Sequence, residues 1–139
     1  LYNYVTVISS KFTNNTSQFD GGAIRSFESI NSYSSTYTGN RSYEGGGVFW
    51  QDDNSLNLYK GNVFKRNYSP GGGVYHAYSV YVDEVNIFSG NVSSWTDSGA
   101  RADGGWADGC SDIRVPDVIS GYWDGPVFHN GSQSMYGGC

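Results

Sequence analysis

Residues 12–24 read FTNNTSQFDGGAI, and this stretch carries the pattern that decides the fold. Phe12 is followed three residues later by Asn15, then by a polar turn, two glycines and the β-branched Ile24. The cassette recurs with Tyr37, Asn40 and Gly45-Gly46-Gly47-Val48, with Phe64, Asn67 and Gly71-Gly72-Gly73-Val74, and with Phe88 and Asn91 but no glycine run. The aromatic residue returns at spacings of 25, 27 and 24 residues, and a period between about 20 and 50 residues is the signature of a solenoid.

Each part of the cassette has a physical role in such a fold. Glycines allow positive φ and close backbone approach, so we expect corners between strands at Gly21-Gly22, Gly45-Gly46 and Gly71-Gly72. If the coils stack at the usual strand spacing of about 4.8 Å, the four aromatic residues form one column of offset rings. The four asparagines then form a second column, in which inward amides can hydrogen bond from coil to coil.

The cassette resembles the GGA(I/L/V) and FxxN repeats of the chlamydial polymorphic outer membrane proteins, which are also seen in other large secreted surface proteins. The resemblance covers residues 1 to about 92. It implies a right-handed parallel β-helix that is secreted or displayed on the outside of a cell, and it transfers no catalytic residue. We therefore predict an all-β fold, a short right-handed parallel β-helix of about four coils with a period of about 25 residues.

The remaining residues, 93–139, lose the repeat. They contain both cysteines and three of the four tryptophans, and Gly104-Gly105-Trp106 resembles a decayed glycine corner. An open solenoid end exposes unpaired backbone groups and needs a cap. We interpret residues 1–92 as the β-helix repeats and residues 93–139 as a degenerate coil followed by an irregular cap.

Bulk properties exclude several classes of protein. With 139 residues the chain has room for one core, and its net charge of -5 argues against nucleic acid or an anionic membrane as a partner. No apolar run approaches the length of a membrane span. The chain begins at Leu1 rather than Met, which suggests a processed chain or a fragment.

Glycosylation sequons are frequent and follow the repeat. They occur at Asn14, Asn15, Asn40, Asn67, Asn91 and Asn130. One interpretation is a glycan-bearing face of a secreted protein, with at least two sites occupied. The other is an inward asparagine ladder whose duplication copied accidental sequons, because an amide buried in a ladder cannot also accept a glycan. Asn130 and one of the pair Asn14 and Asn15 are the least constrained candidates.

The cysteines and the acidic residues of the tail allow two further predictions. In an extracellular chain two cysteines most often pair, and a Cys110–Cys139 bridge would stabilise the tail by roughly 3–4 kcal/mol in the chain-entropy model. Pairing with other molecules is the alternative. The cysteines, His76 and His129 do not have zinc-site spacing, so no metal is expected. A Ca²⁺ site among Asp97, Asp103, Asp108 and Asp112 is the weaker alternative, because turn chemistry explains these residues without a metal.

An enzymatic role is the weakest hypothesis. Parallel β-helices also house pectin-cleaving enzymes, and Asp53 and Asp83 would be able to approach each other from neighbouring coils. Of the polygalacturonase signatures, however, only a bare Asp-Asp is present, at Asp52-Asp53. We expect solvated turn carboxylates and no catalysis.

Two functions remain in the foreground. The first is a glycosylated extracellular structural protein, a subunit of a filament or surface appendage that assembles by end-to-end stacking of β-helices. Four thin coils have large ends for their size, so either identical chains stack on them or the chain continues into a longer solenoid. The second is an adhesin or carbohydrate-binding module of a larger surface protein, since 12 Tyr and 4 Trp exceed what four thin coils can bury. No sequence feature separates the two.

Overall fold

The structure is a β-solenoid. The computed structural model describes residues 3–83, 85–94, 105–107, 111–113, 122–124, 127–130 and 133–136. Within these ranges the regular elements are all β-strands and no helix is present, so the described part has no helix long and apolar enough to cross a membrane. Parallel stacking of about four coils with a period near 25 residues confirms the predicted fold class.

Each coil is built from short strands separated by bends. The first coil contains β1 (Tyr4–Ile8), β2 (Lys11–Thr13) and β3 (Thr16–Ser17). The second contains β4 (Ile24–Ser26), β5 (Ser29–Tyr33), β6 (Thr36–Thr38) and β7 (Arg41–Ser42). The third contains β8 (Phe49–Leu58), β9 (Val63–Lys65) and β10 (Tyr68–Ser69). The fourth contains β11 (Tyr75–Val82), β12 (Ile87–Ser89) and β13 (Val92–Ser93).

Equivalent strands of successive coils form three parallel sheets. The first sheet stacks β1, β5, β8 and β11, with β4 beside the first half of β8. The second stacks β2, β6, β9 and β12, and the third stacks β3, β7, β10 and β13. The register of the second sheet places Phe12, Tyr37, Phe64 and Phe88 directly over one another.

The first sheet supplies most of the aliphatic core. Because alternate strand residues face opposite sides, Ile30, Leu56 and Val80 point inward in one row of the register and are buried. Val5 continues this row in the first coil but is 36% exposed, since a neighbouring coil covers it on one side only. Burial of such side chains contributes roughly 1.5–3 kcal/mol each.

The two glycines of the first corner align with the second and third glycines of the next run, and not with its first two. Gly45 pairs with Asp20, so Gly45 and Gly46 are not the counterparts of Gly21 and Gly22. Gly46 is the counterpart of Gly21, and their φ angles are 65° and 61°, in the left-handed region that favours glycine. A Cβ on Gly22 would overlap a backbone carbonyl oxygen of the second coil. Glycines of different coils are therefore equivalent when they occupy the same place in the bend, whatever their place in the glycine run.

The described part of the C-terminal region contains five further strands. β14 (Gly105–Ala107) and β15 (Ser111–Ile113) pair in parallel with the two halves of β11 and extend the first sheet. β16 (Tyr122–Asp124), β17 (Val127–Asn130) and β18 (Gln133–Tyr136) form an antiparallel sheet, and β18 contacts β14 and β15. A domain boundary at residues 92 and 93 stays a prediction.

Candidate functional sites: ladders, sequons and outward faces

A column of stacked rings fills the interior beside the second sheet. The ring centroids of Phe12 and Tyr37, of Tyr37 and Phe64, and of Phe64 and Phe88 lie 5.2, 5.0 and 4.8 Å apart. The buried Tyr37 hydroxyl shares a hydrogen bond of 2.6 Å with Ser32. Burial raises the pKa of Tyr37 to about 12, against a smaller opposing effect of its hydrogen bonds. These rings belong to the hydrophobic core or pack against it, and they do not form a binding surface.

Beside the rings runs a ladder of asparagine amides with a fixed direction. In each step the backbone N–H and the side-chain Nδ2 of one asparagine donate to the Oδ1 of the asparagine in the next coil. The two distances are 3.1 and 2.9 Å from Asn15 to Asn40, 2.9 and 3.0 Å from Asn40 to Asn67, and 3.0 and 2.9 Å from Asn67 to Asn91. Donors therefore face later coils, and acceptors face earlier ones.

The second hydrogen of each Nδ2 faces backwards. It donates to the carbonyl oxygen of the aromatic residue in the preceding coil, at 3.1, 3.0 and 3.1 Å for Asn40, Asn67 and Asn91. The ladder thus ties each coil to both of its neighbours. It also satisfies backbone groups that would otherwise be buried without a partner.

A second ladder, which the sequence analysis missed, runs on the other side of the rings. The backbone N–H of Ser10 donates to Ser35 Oγ at 3.1 Å, that of Ser35 to Asn62 Oδ1 at 3.1 Å, and that of Asn62 to Asn86 Oδ1 at 3.2 Å. These residues lie two positions before the aromatic residue of their coil. A small polar residue at that position was the available signal, and the full cassette reads Ser/Asn-x-Phe/Tyr-x-x-Asn.

Three of the predicted glycosylation asparagines belong to the buried part of the first ladder. Asn40, Asn67 and Asn91 are 0%, 1% and 1% exposed. Both Nδ2 hydrogens of Asn40 and of Asn67 are already donated. A glycan on these amides is incompatible with the folded ladder, because it would break buried hydrogen bonds and need space in a closed interior.

The remaining sequons lie elsewhere. Asn14 and Asn15 are exposed on the first coil, and Asn14 has a φ of 56° at the bend between β2 and β3. Asn130 lies at the end of β17, where it pairs with Gln133. Asn14, Asn15 and Asn130 remain as predicted glycosylation sites.

A network of charged and aromatic side chains covers the outer side of β4 and β8. The Arg25 guanidinium lies 3.2 Å from an Asp20 oxygen and 3.5 Å from an Asp52 oxygen, and Trp50 Nε1 donates to Asp52 Oδ1 at 2.7 Å. The Trp50 ring stacks on His76 with centroids 4.0 Å apart. Burial raises the pKa of Asp20 even though Arg25 opposes this, with smaller contributions from Glu44 and Asp52.

The carboxylates considered for catalysis are not brought together. Asp53 lies in the middle of β8, whereas the N–H of Asp83 donates to the carbonyl of Leu58 at the end of β8. The approach of Asp53 to Asp83 that an enzymatic role would need does not occur, because the register separates the two residues along the strand direction. That the chain is not an enzyme stays a prediction.

An outward row of tyrosines crosses the first sheet. The rings of Tyr33 and Tyr59 stack with centroids 4.7 Å apart, and those of Tyr59 and Tyr81 lie 5.7 Å apart. Beside the row, Asn57 Nδ2 donates to Asn31 Oδ1 at 2.8 Å. Partial burial and then the neighbouring tyrosines raise the pKa of Tyr59. In the strand register Tyr81 lies opposite Asn57 and contacts Tyr59 diagonally, so phenol and amide groups are neighbours on this face.

Several predictions fall outside the described residues. They concern the proposed Cys110–Cys139 bridge and three of the four candidate calcium ligands, Asp97, Asp103 and Asp108, while Asp112 lies in β15. In the described part of the chain, no group of three or more His, Cys, Asp or Glu residues is placed to hold a metal ion.

Comparison with known families adds one match. Residues 9–26 match the family model of the Chlamydia polymorphic membrane protein repeat. This segment holds the first cassette, from β2 through the corner to β4, and the stacked coils fit a β-helix repeat of this type. The resemblance predicted from the sequence is confirmed. Comparisons with curated proteins and with solved structures found no match.

Proposed function

We propose that this chain is a glycosylated structural segment of an extracellular surface protein, whose first coil stacks on the last coil of a second copy to build a filament or surface appendage. The matched repeat is one of Chlamydia membrane proteins, which supports a surface-type protein. The described interior consists of rings, ladders and aliphatic rows that hold coil on coil. Such an interior suits a rigid rod.

The direction of the asparagine ladder is the observation that carries this proposal. At the first coil, Asn15 Oδ1 accepts no hydrogen bond from the described residues, although the equivalent oxygens of Asn40, Asn67 and Asn91 each accept two. At the fourth coil the backbone N–H of Asn91 has no acceptor in the described part of the chain. The asparagine ladder therefore offers an acceptor at the first coil and a complementary donor at the fourth, while β14 and β15 already pair with the first-sheet edge of the fourth coil.

Strand edges and rings at the first coil agree with this complementarity. β1, β2 and β3 each pair with a strand of the second coil, and no strand among the described residues pairs with their other edges. Phe12 stacks on Tyr37 with one ring face and is half-buried. A head-to-tail contact between different surfaces does not close on itself and builds a fibre.

The test compares assembly of the unglycosylated chain with that of two charge variants. Phe12→Asp places a carboxylate on the open end of the ring column, and Phe27→Asp is the matched control on the side of the second coil, where Phe27 is 63% exposed. We expect fibres by electron microscopy for the wild type and Phe27→Asp, and folded monomers for Phe12→Asp. Strictly monomeric wild-type particles at all concentrations in sedimentation velocity would refute the proposal.

The outward tyrosine row favours a second candidate, an adhesin or carbohydrate-binding module. Tyr33 is 37% exposed, and the row lies beside the amides of Asn31 and Asn57. Aromatic rings next to hydrogen-bonding side chains suit recognition of sugars or of another protein.

Glycan-array binding by the monomeric Phe12→Asp variant tests this candidate. If the tyrosine row binds sugars, Tyr59→Ala removes the signal in that background. The control Tyr43→Ala changes a ring that is 53% exposed but stands outside the row, and it should leave binding intact. Absence of binding to any glycan, or equal binding by both variants, contradicts a role for this face.

A further inference from the structure

Charge is distributed unevenly around the four coils. The second and third sheets, with the bends that join them, consist of residues 11–17, 36–42, 63–69 and 87–93. These segments contain no Asp or Glu, although the whole chain contains 13 such residues. They do contain four exposed cationic residues, Lys11, Arg41, Lys65 and Arg66. A chain with a net charge of -5 therefore has one basic side. We call the exposed side chains of these four segments the basic face.

Arg41 is the cation of this face that the structure holds in place. It lies on β7, and its guanidinium carbon lies over the rings of Tyr68 and Tyr43, 4.7 and 4.9 Å from their centroids. Tyr68 is its partner in the strand register of the next coil. Attraction between a cation and the face of a ring orients the guanidinium and leaves its charge intact. Less conformational freedom is then lost when a ligand binds.

The charge of Arg41 is not neutralised by an acidic side chain. Among the residues that the structure describes, ion pairs join Arg25 to Asp20 and Asp52, and no carboxylate lies within ion-pair distance of Arg41. A planar guanidinium whose faces lie against rings still has N–H donors along its edge. Their fork geometry matches the paired oxygens of a carboxylate or a similar oxyanion.

The surroundings of Arg41 are rich in hydroxyl groups. Threonines occupy outward positions in the first two coils, where they alternate with inward rings or lie opposite Arg41 in the register. They are Thr13, Thr16, Thr36 and Thr38. A protein–protein interface has an apolar centre, whereas hydroxyl groups beside cations and aromatic rings suit a charged sugar polymer.

We propose that the basic face binds an acidic polysaccharide, with Arg41 donating to a carboxylate or sulfate group and the adjacent tyrosine rings contacting the sugar. Lys65 and Arg66 lie in the next coil, at a strand spacing of about 4.8 Å, and attract further acidic groups of the same polymer. The site extends toward the third coil, away from Asn14 and Asn15 on the first. It is separate from the tyrosine row and from the coil ends, so it goes beyond both functions proposed above.

Fluorescence anisotropy with labelled oligosaccharides tests this site on the unglycosylated 139-residue chain. The probes are an oligogalacturonate, which carries carboxylates, a heparin-derived oligosaccharide, which also carries sulfates, and a neutral malto-oligosaccharide. We expect at least one acidic probe to bind, with an affinity that falls as the salt concentration rises, and the neutral probe not to bind. In the glycan array described above, acidic glycans report the basic face and neutral glycans report the tyrosine row.

Variants separate a shaped site from diffuse attraction of charge. Arg41→Lys keeps the charge but loses the planar fork, and it should bind about tenfold more weakly. Tyr68→Leu should bind about threefold more weakly, whereas Tyr68→Phe retains the ring and should bind like the wild type. Lys60→Gln removes an exposed cation between β8 and β9, outside the basic face, and should change the affinity by less than about twofold. Circular dichroism confirms the folding of each variant.

Three results would overturn the proposal. Failure of both acidic probes to bind removes the site. Equal affinities of Arg41→Lys and the wild type, or equally tight binding of a single-stranded oligodeoxynucleotide, would show that diffuse charge accounts for the binding. Sedimentation velocity without sugar tests a second copy as the occupant: association that Arg41→Gln abolishes and Phe12→Asp does not would assign the face to lateral contacts between copies. None of these measurements requires fibres, so failure of end-to-end assembly leaves this test unchanged.

Discussion

Truncation of Asn67 is the sharpest perturbation of the ladder. Its side chain is 1% exposed and makes four hydrogen bonds: Nδ2 donates to the Tyr37 carbonyl at 3.0 Å and to Asn91 Oδ1 at 2.9 Å, and Oδ1 accepts from the backbone N–H and Nδ2 of Asn40 at 2.9 and 3.0 Å. In Asn67→Ala the backbone N–H of Asn40 loses its acceptor and stays buried.

The expected loss follows from these bonds. An orphaned buried group costs about 1–3 kcal/mol, and each of the other lost bonds about 0.5–1.5 kcal/mol. One orphaned group and three further lost bonds together cost roughly 2.5–7.5 kcal/mol, and we expect Asn67→Ala to lower the free energy of unfolding by an amount in this range, a large share of the roughly 5–15 kcal/mol typical of a domain.

Asn57→Ala is the matched control, because Asn57 lies in the same coil but faces outward with one side-chain bond to Asn31. Its cost should stay below about 1 kcal/mol. Urea unfolding followed by circular dichroism gives both values by linear extrapolation. A loss below about 1 kcal/mol for Asn67→Ala, or equal losses for the two variants, would show that the buried ladder does not hold the coils together.

Three further predictions concern the corner, the rings and pH. Gly46→Ala places a Cβ against a backbone carbonyl at a φ of +65° and should cost several kcal/mol, whereas Gly61→Ala at +80° meets its nearest atom at 3.4 Å and should cost about 1–2 kcal/mol by urea unfolding; equal costs would contradict the close approach. Phe64→Ala, in the buried middle of the column, should lose about 3–5 kcal/mol, and the exposed Phe27→Ala less than about 1 kcal/mol; similar thermal midpoints for both would argue against the stack. The folded pKa of Tyr37 is raised from 10.0 to about 12, so its neutral form stabilises the fold below about pH 10 and this contribution is lost as the pH rises toward about 12. Stability of the wild type should therefore fall more steeply than that of Tyr37→Phe over this range, and parallel pH profiles would contradict the assignment.

The repeat made the solenoid predictable because stacked coils impose the same environment on equivalent residues. Phe12 and Asn15 recur with fixed separation, and this separation places rings over rings and amides over amides. The inward position of the asparagines also determines which sequons cannot carry a glycan in the folded chain. The sequence alone left two interpretations open, a glycan-bearing face and a buried asparagine ladder. The burial of Asn40, Asn67 and Asn91 in the structure favours the ladder.

Other features were not predictable from the cassette as written. The second ladder uses serine in the first two coils and asparagine in the next two, so its polar column changes residue type between Ser35 and Asn62. The corner register was hidden because a run of three glycines has two possible alignments with a pair. Asp20 opposite Gly45 shows which alignment the backbone adopts.

Ring-to-ring nuclear Overhauser effects test the stacked coils most directly. In a chain with selectively labelled phenylalanine, the account predicts cross-peaks from the Phe64 ring to Tyr37 and to Phe88, whose centroids lie 5.0 and 4.8 Å away. These partners are distant in sequence and meet only when the coils stack in the described register. Absence of both cross-peaks in the folded protein would contradict the solenoid.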